Sequence, residues 1–181
     1  MTSLVFCGIK HCGKSTLGRL TAGIFELPFA DTDEELEKEF TVRTGKHANC
    51  RTIFREYGET FFRKLEADTI RNLSNGAGRV IALGGGAAGN PFLTTDELKK
   101  LGFWIFLDAA PEVAYQRILH GGLPPFLQKE EDPEQAFLQL CRERTTRFRE
   151  LADLIYPIHG ERPPEAEAEI LTQKLRGEIR I

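Results

Sequence analysis

The segment Gly8-Ile9-Lys10-His11-Cys12-Gly13-Lys14-Ser15 constrains this chain more than any other. It matches G-x-x-x-x-G-K-[ST] at every fixed position. It follows a short apolar run, Leu4 to Cys7, and opens a helical pattern with Leu17, Leu20 and Ile24 on one face. That is the strand, loop and helix order the motif requires. The glycines let the backbone wrap until its N–H groups point at phosphate oxygens, and the helix N-terminus adds partial positive charge. Lys14 can then reach the outer phosphates, and the Ser15 hydroxyl can ligate Mg²⁺. A Gly-rich turn with a surface lysine would satisfy the letters but not their context.

The rest of the chain repeats the alternation. Leu27 to Ala30 is a second short apolar run, ended by Asp31 and Asp33. Glu34 to about Gly76 reads as helical, with a break over Thr41 to Arg51 at Gly45. Arg79 to Leu83 and Gly102 to Leu107 read as buried strands, and Pro111 suits the first turn of a helix running to about Leu119. A charged helix follows from Pro133 to Leu151, then a strand from Leu154 to Ile158. The last helix, Glu165 to Leu175, docks through Ile170, Leu171 and Leu175. None of the strands alternates cleanly between polar and apolar, so the expectation is an α/β fold with a parallel sheet covered on both faces. Residues 120–133 hold Gly121, Gly122, Pro124, Pro125 and Pro133, and read as a loop or lid.

Composition narrows the function. The 181 residues suggest one domain, with a core large enough to need no disulfide or zinc staple. The net charge of −3 argues against a general nucleic-acid binder. No apolar run approaches the ~20 residues of a membrane helix. The start, Met-Thr-Ser-Leu-Val-Phe-Cys, lacks the basic n-region of a signal peptide. Cys7, Cys12, Cys50 and Cys141 form no CxxC pair, which fits free thiols in a reducing cytoplasm. His11, His47, His120 and His159 show no metal-ligand spacing.

Three further features carry chemistry. Asp31-Thr32-Asp33 closes the second strand, where ligands of open α/β sheets gather. One carboxylate can hold Mg²⁺ through water while the other accepts a hydroxyl proton; helix capping by Asp33 is the competing reading. Gly84-Gly85-Gly86 follows the third strand and suits close approach of backbone to a ligand, or a plain flexible turn. Arg63, Arg142, Arg144, Arg147 and Arg149 are candidate carboxylate forks, although a charged helix more often carries its arginines on a solvated face. Nothing in the sequence alone selects Arg63 or Arg144 from this set.

Taken together, the motifs resemble shikimate kinase over about Leu4 to Ile158. The elements are G-x-x-x-x-G-K-S-T-x-G-R at Gly8 to Arg19, P-F-x-D-T-D-E at Pro28 to Glu34, and G-E-x-x-F-R-x-x-E at Gly58 to Glu66. L-G-G-G-A at Leu83 to Ala87, F-L-D-A-x-P-E at Phe106 to Glu112 and R-x-x-x-[YF]-R at Arg144 to Arg149 follow in order. The resemblance implies a five-stranded parallel sheet in order 2-3-1-4-5, and transfer of the γ-phosphoryl of ATP to the 3-hydroxyl of shikimate. It implies that Gly8, Lys10, Cys12, Gly13, Lys14, Ser15 and Thr16 hold the phosphates, with Arg117 near adenine. It further implies that Ser15 and Asp31 hold Mg²⁺, and that Asp33 is the base or orienter of the attacking oxygen. Arg63 and Arg144 would grip the shikimate carboxylate, and Gly84, Gly85 and Gly86 would line the same pocket. A helical region over about 34–61 would cover the substrate, a lid over about 120–133 would close on it, and the chain would act as a monomer.

The lid is where this sequence departs from that family. The usual Arg-Pro-Leu-Leu is replaced by Leu123-Pro124-Pro125-Phe126-Leu127, and residues 118–132 contain no arginine. Lys129 or Lys10 is the candidate to replace its charge. Residues 46–52 also run slightly longer than usual. At this point a kinase for another small hydroxylated carboxylate, or a nucleotide-binding paralogue without turnover, stays open beside shikimate phosphorylation.

Overall fold

The computed structural model describes residues 2–76, 78–124, 127–159 and 162–179. Five parallel strands form one sheet in the order β2-β3-β1-β4-β5. They are β1 (Leu4–Cys7), β2 (Phe29–Asp31), β3 (Val80–Ala82), β4 (Phe103–Ala109) and β5 (Leu154–Ile158). The helices are α1 (Lys14–Phe25), α2 (Thr32–Thr44), α3 (Cys50–Ser74), α4 (Thr95–Lys99), α5 (Pro111–Gly121), α6 (Pro133–Leu151) and α7 (Pro164–Glu178).

Strand β1 is the spine. Leu4 pairs with Val80 on one side and Phe103 on the other, and Cys7 pairs with Phe106. Its four consecutive side chains are each at most 1% exposed. Successive strand residues point to opposite faces, so both faces of the sheet are covered here. That is why these strands read as unbroken apolar runs. The edge strand β5 is different: Leu154 and Tyr156 are buried, whereas Ile155 is exposed. Pro157 is tolerated there because an edge strand need not donate on its outer side.

Strand ends and helix faces correct the sequence reading in detail. β2 starts later than Leu27, and β4 runs on to Ala109. Helix α1 buries Leu17, Gly18, Thr21 and Ala22, while Ile24 is exposed. Ile170 is likewise exposed, and α7 docks through Ala168, Leu171, Thr172 and Leu175. Both corrections have one cause: α1 and α7 pack against each other, which rotates each helix toward its small residues. Helix α4 and the 3-10 turn Ala87–Gly89 had no counterpart in the sequence pattern. They are too short to show a period.

The long helical stretch is two helices with the break at residues 45–49, and Gly58 breaks α3 again (φ 81°, ψ 168°). Leu36, Phe40, Ile53, Phe62 and Leu65 form a small apolar cluster of their own, separate from the main core. This α2–α3 unit stands over the carboxyl ends of β2 and β3. In the expected lid, His120 and Gly121 belong to α5, Leu127 is buried, and Gln128 Nε2 donates to the Leu123 carbonyl at 2.8 Å. Pro125 and Phe126 lie outside the described residues.

Candidate active site

The site is built where β1, β2 and β3 end. The loop after β1 turns sharply, with φ of 151° at Gly8, 61° at His11 and 101° at Gly13. A Cβ at Gly8 would lie 2.7 Å from Cys12 Sγ and 2.9 Å from the Leu107 carbonyl, so only glycine lets the loop close on β4. Cys12 is buried beneath the loop, and its N–H donates to the Ile9 carbonyl at 3.3 Å. Lys14 Nζ donates to the carbonyls of Gly8 (3.1 Å) and Ile9 (2.9 Å), which holds its charge at the loop mouth. Ser15 and Thr16 are exposed on the first turn of α1. Arg117, on α5, donates to the His11 carbonyl at 2.8 Å, so its guanidinium lies against the outside of the same loop.

The Asp31 carboxylate divides its oxygens. Oδ2 accepts from the Ser15 hydroxyl at 2.6 Å, and Oδ1 accepts from the Asp33 N–H at 3.0 Å. Asp31 is therefore the N-cap of α2, and Asp33 sits in its first turn. Capping by Asp33 is thereby corrected. With its backbone engaged by Asp31, Asp33 has its own carboxylate free. That carboxylate is open to water at the cleft mouth, but protein crowds its other sides. Burial, then the Asp31 and Glu66 carboxylates, push it up to about 6.

The glycine run faces three charged groups in turn. A Cβ at Gly84 would lie 2.6 Å from Asp33 Oδ1, one at Gly85 3.2 Å from Arg144 Nη1, and one at Gly86 2.8 Å from Arg63 Nη1. The Gly84 N–H donates to Thr32 Oγ1 at 2.7 Å, fixing the run to α2. The position of a Gly85 Cβ is also 4.0 Å from the Lys10 backbone nitrogen. So Gly85 lies between Arg144 and the phosphate-type loop, and Arg63 lies one residue further along the run.

Arg63 is held by Glu66, the last letter of G-E-x-x-F-R-x-x-E, and by Asn90, which carried no sequence signal. Its Nη1 donates to Glu66 Oε2 at 2.8 Å, and Asn90 Nδ2 donates both to Glu66 Oε2 (2.8 Å) and to the Arg63 carbonyl (2.7 Å). Glu66 and Asn90 are buried. Arg144 makes no hydrogen bond or ion pair among the described residues. Burial and the Arg63 guanidinium push it below the usual arginine range. The other candidate arginines are committed elsewhere: Arg142 to Gln139, Arg147 to the Ala88 carbonyl and Thr95, and Arg149 to Asp108. Lys10 is pushed down by burial and by its cationic neighbours Arg51 and Arg144. A cavity of about 730 Å³ lies apart from these residues, bordered by Glu37, Thr41, Val42 and His47.

A carboxylate and two arginines along one glycine run, beside a phosphate-type loop, suit a small anionic alcohol as phosphoryl acceptor. The model of the shikimate kinase family matches residues 10–176. The chain belongs to that family. It is 33% identical over 179 residues to the shikimate kinase of Rhizobium meliloti, spanning 99% of this chain and 81% of that protein. It is 38% identical over 153 residues to the shikimate kinase of Cupriavidus pinatubonensis, spanning 84% of this chain and 76% of that one. Among solved structures, the shikimate kinase from Acinetobacter baumannii in complex with shikimate superposes with a TM-score of 0.82 at 28% identity, covering 100% of this chain and 96% of the other. The strand order is the one the shikimate kinase resemblance implied.

For a shikimate kinase the oxygen donors near Ser15 fit a hard cation such as Mg²⁺. The described residues contain no group of three or more His, Cys, Asp or Glu able to hold a metal. Such an ion would therefore take most of its ligands from phosphates and water. The cysteines are free. Burial pushes the Cys7 and Cys50 thiols up strongly and Cys141 to about 11, so all three stay neutral thiols at neutral pH. Among the described residues no helix is long and apolar enough to cross a membrane.

Proposed function

We propose that this chain transfers the γ-phosphoryl group of ATP to the 3-hydroxyl of shikimate, with Mg²⁺ bound beside the nucleotide. The observation that carries the reading is the placement of Gly85, between Arg144 Nη1 at 3.2 Å and the Lys10 nitrogen at 4.0 Å from its Cβ position. An acceptor gripped by its carboxylate there lies beside the loop that would hold the donor phosphates. The shikimate bound by the Acinetobacter baumannii relative is consistent with that choice of acceptor.

The residue roles follow from their chemistry. Arg63 and Arg144 bind the shikimate carboxylate, and the Glu66–Asn90 pair fixes the plane of the Arg63 fork. Asp33 accepts a hydrogen bond from the attacking hydroxyl and takes its proton as the O–P bond forms. A value near 6 leaves it mostly ionised at neutral pH yet basic enough to hold that proton. Lys14 turns from the Gly8 and Ile9 carbonyls to the outer phosphates. Ser15 and Asp31 are the residues that would hold Mg²⁺. The ion, when bound, neutralises phosphate charge and aligns the transferred group. Gly8, Lys10, Cys12, Gly13 and Thr16 shape or line the phosphate site, and Arg117 braces it at His11 on the nucleotide side. The site as read needs no second copy, in keeping with a monomer, and the free thiols fit the cytoplasm.

The test is ADP release with MgATP, with and without shikimate. Shikimate-dependent release, with shikimate 3-phosphate as product, is the expected result. ATP binding without shikimate-dependent release overturns the reading.

A further inference from the structure

We infer that the Arg51 guanidinium, on the first turn of α3, contacts the transferring phosphoryl group and neutralises its charge, a task for which this chain has no lid arginine. The inference rests on the phosphoryl-transfer reading of the site. Phosphoryl transfer needs cations around the moving group more than it needs covalent help. Residues 118–132 supply none but Lys129, which is exposed and makes no ion pair among the described residues. The lid's described apolar residues turn inward instead: Leu127 is buried and Leu123 packs on the main core.

The start of α3 is fixed at the site. Asn49 caps the helix by accepting from the Thr52 N–H at 2.9 Å. The Cys50 N–H donates to Glu37 Oε1 at 2.8 Å, and Cys50 Sγ approaches the Asp33 carbonyl at 3.5 Å. Arg51 is thus one residue from a direct contact with the proposed base. It is exposed, and it makes no ion pair or hydrogen bond among the described residues. Arg19, Arg43, Arg63, Arg71, Arg147 and Arg149, by contrast, each hold a carboxylate.

The neighbours of Arg51 are cations. Of the charges acting on Lys10, that of Arg51 is the strongest, and it bears on His11 as well. Arg51 and Arg144 act on Lys10, and Lys10 and Lys14 act on Asp33, so the four cations share one neighbourhood. Like charges repel in a partly desolvated cleft. The repulsion is relieved when a polyanion enters, and most fully when charge develops on its transferring group. Lys10 and Lys14 belong to the loop motif, whereas Arg51 is carried by α3, the helix that also carries Arg63.

The test compares Arg51→Ala and Arg51→Lys with the unmodified chain. Two readouts are taken: shikimate-dependent kcat and KM, and the affinity for MgADP with aluminium fluoride, a mimic of the moving phosphoryl group. For Arg51→Ala we expect kcat to fall about 10²- to 10³-fold. Shikimate KM and the affinity for MgADP alone should change less than about threefold, and aluminium fluoride should no longer tighten the complex. Arg51→Lys should recover part of both losses. An unchanged kcat in Arg51→Ala overturns the inference, as does a loss that follows Lys129→Ala instead. If the unmodified chain does not turn over shikimate, the acceptor assignment fails. The aluminium fluoride readout then still decides Arg51, since equal tightening with and without it refutes the contact.

Discussion

The Asp33 carboxylate occupies the space that a side chain at Gly84 would need: a Cβ there would lie 2.6 Å from Asp33 Oδ1. Thr32 Oγ1 closes the same space from 3.4 Å. Gly84→Ala must therefore displace the proposed base while leaving the sheet intact. A displacement near 1 Å costs about 10²-fold in rate. We expect kcat to fall by that order in steady-state kinetics, with MgATP affinity unchanged. A normal kcat would show that Asp33 can vacate the space freely.

Asp33→Asn should cut kcat by several orders of magnitude with nucleotide affinity kept. In the unmodified enzyme the acid limb of kcat/KM should bend near pH 6, the value to which burial and Asp31 raise Asp33. Activity is lost as pH falls through it, because the protonated form cannot accept the hydroxyl proton. The stability term has the opposite sense. A carboxyl whose folded value is raised favours the fold below its unfolded value near 3.8, and that contribution is lost as pH rises through about 6. Asn at this position should thus slightly raise Tm at pH 7. Water at the cleft mouth limits the gain to below about 1 kcal/mol. A pH–rate profile and thermal melts check both.

Arg144→Ala and Arg63→Ala should differ in kind. Arg144 has no partner to abandon among the described residues, so its loss should raise shikimate KM and leave Tm nearly unchanged. Arg63 pairs with Glu66, whose side chain is only 6% exposed. Its removal leaves a buried carboxylate with only Asn90 as partner, which costs about 3 kcal/mol. Arg63→Ala should therefore raise KM and lower Tm together, and urea melts beside shikimate titrations separate the two.

Asp31→Ala removes two bonds at once, one donated by the Ser15 hydroxyl and one by the Asp33 N–H at the start of α2. The lost cap costs about 1 kcal/mol of stability. Asp31→Asn keeps an acceptor for the cap but loses the charge. Both variants should require more Mg²⁺ for half-maximal rate, and only Asp31→Ala should melt earlier. Equal Mg²⁺ requirements across the series would remove Asp31 from the metal's surroundings.

The phosphate-type loop, the Asp31–Asp33 pair and the glycine run were legible because each is local. A few adjacent residues fix the backbone, and the backbone fixes the chemistry. The strands were legible for a related reason: burial on both faces leaves an unbroken apolar run. Ile24 and Ile170 were misplaced because periodicity marks an apolar face but not its rotation against a neighbouring helix. Arg63 and Arg144 stood out only through the family resemblance, since composition gave five equal candidates.

What the sequence determined alone is the α/β alternation and the place of a phosphate-binding turn within it. The tertiary structure decided which charges meet. Glu66 and Asn90, 24 positions apart, close on Arg63 only because α3 lies against the turn after β3. The charge of Arg51 bears on Lys10, 41 positions before it, only because Cys50 is held to α2 through Glu37, 13 positions earlier. Local patterning encodes hydrogen bonds within an element. Coulomb and close-packing terms act through space between elements, so Lys10 and Lys14 bear on Asp33 only once the sheet has brought the ends of β1, β2 and β3 side by side.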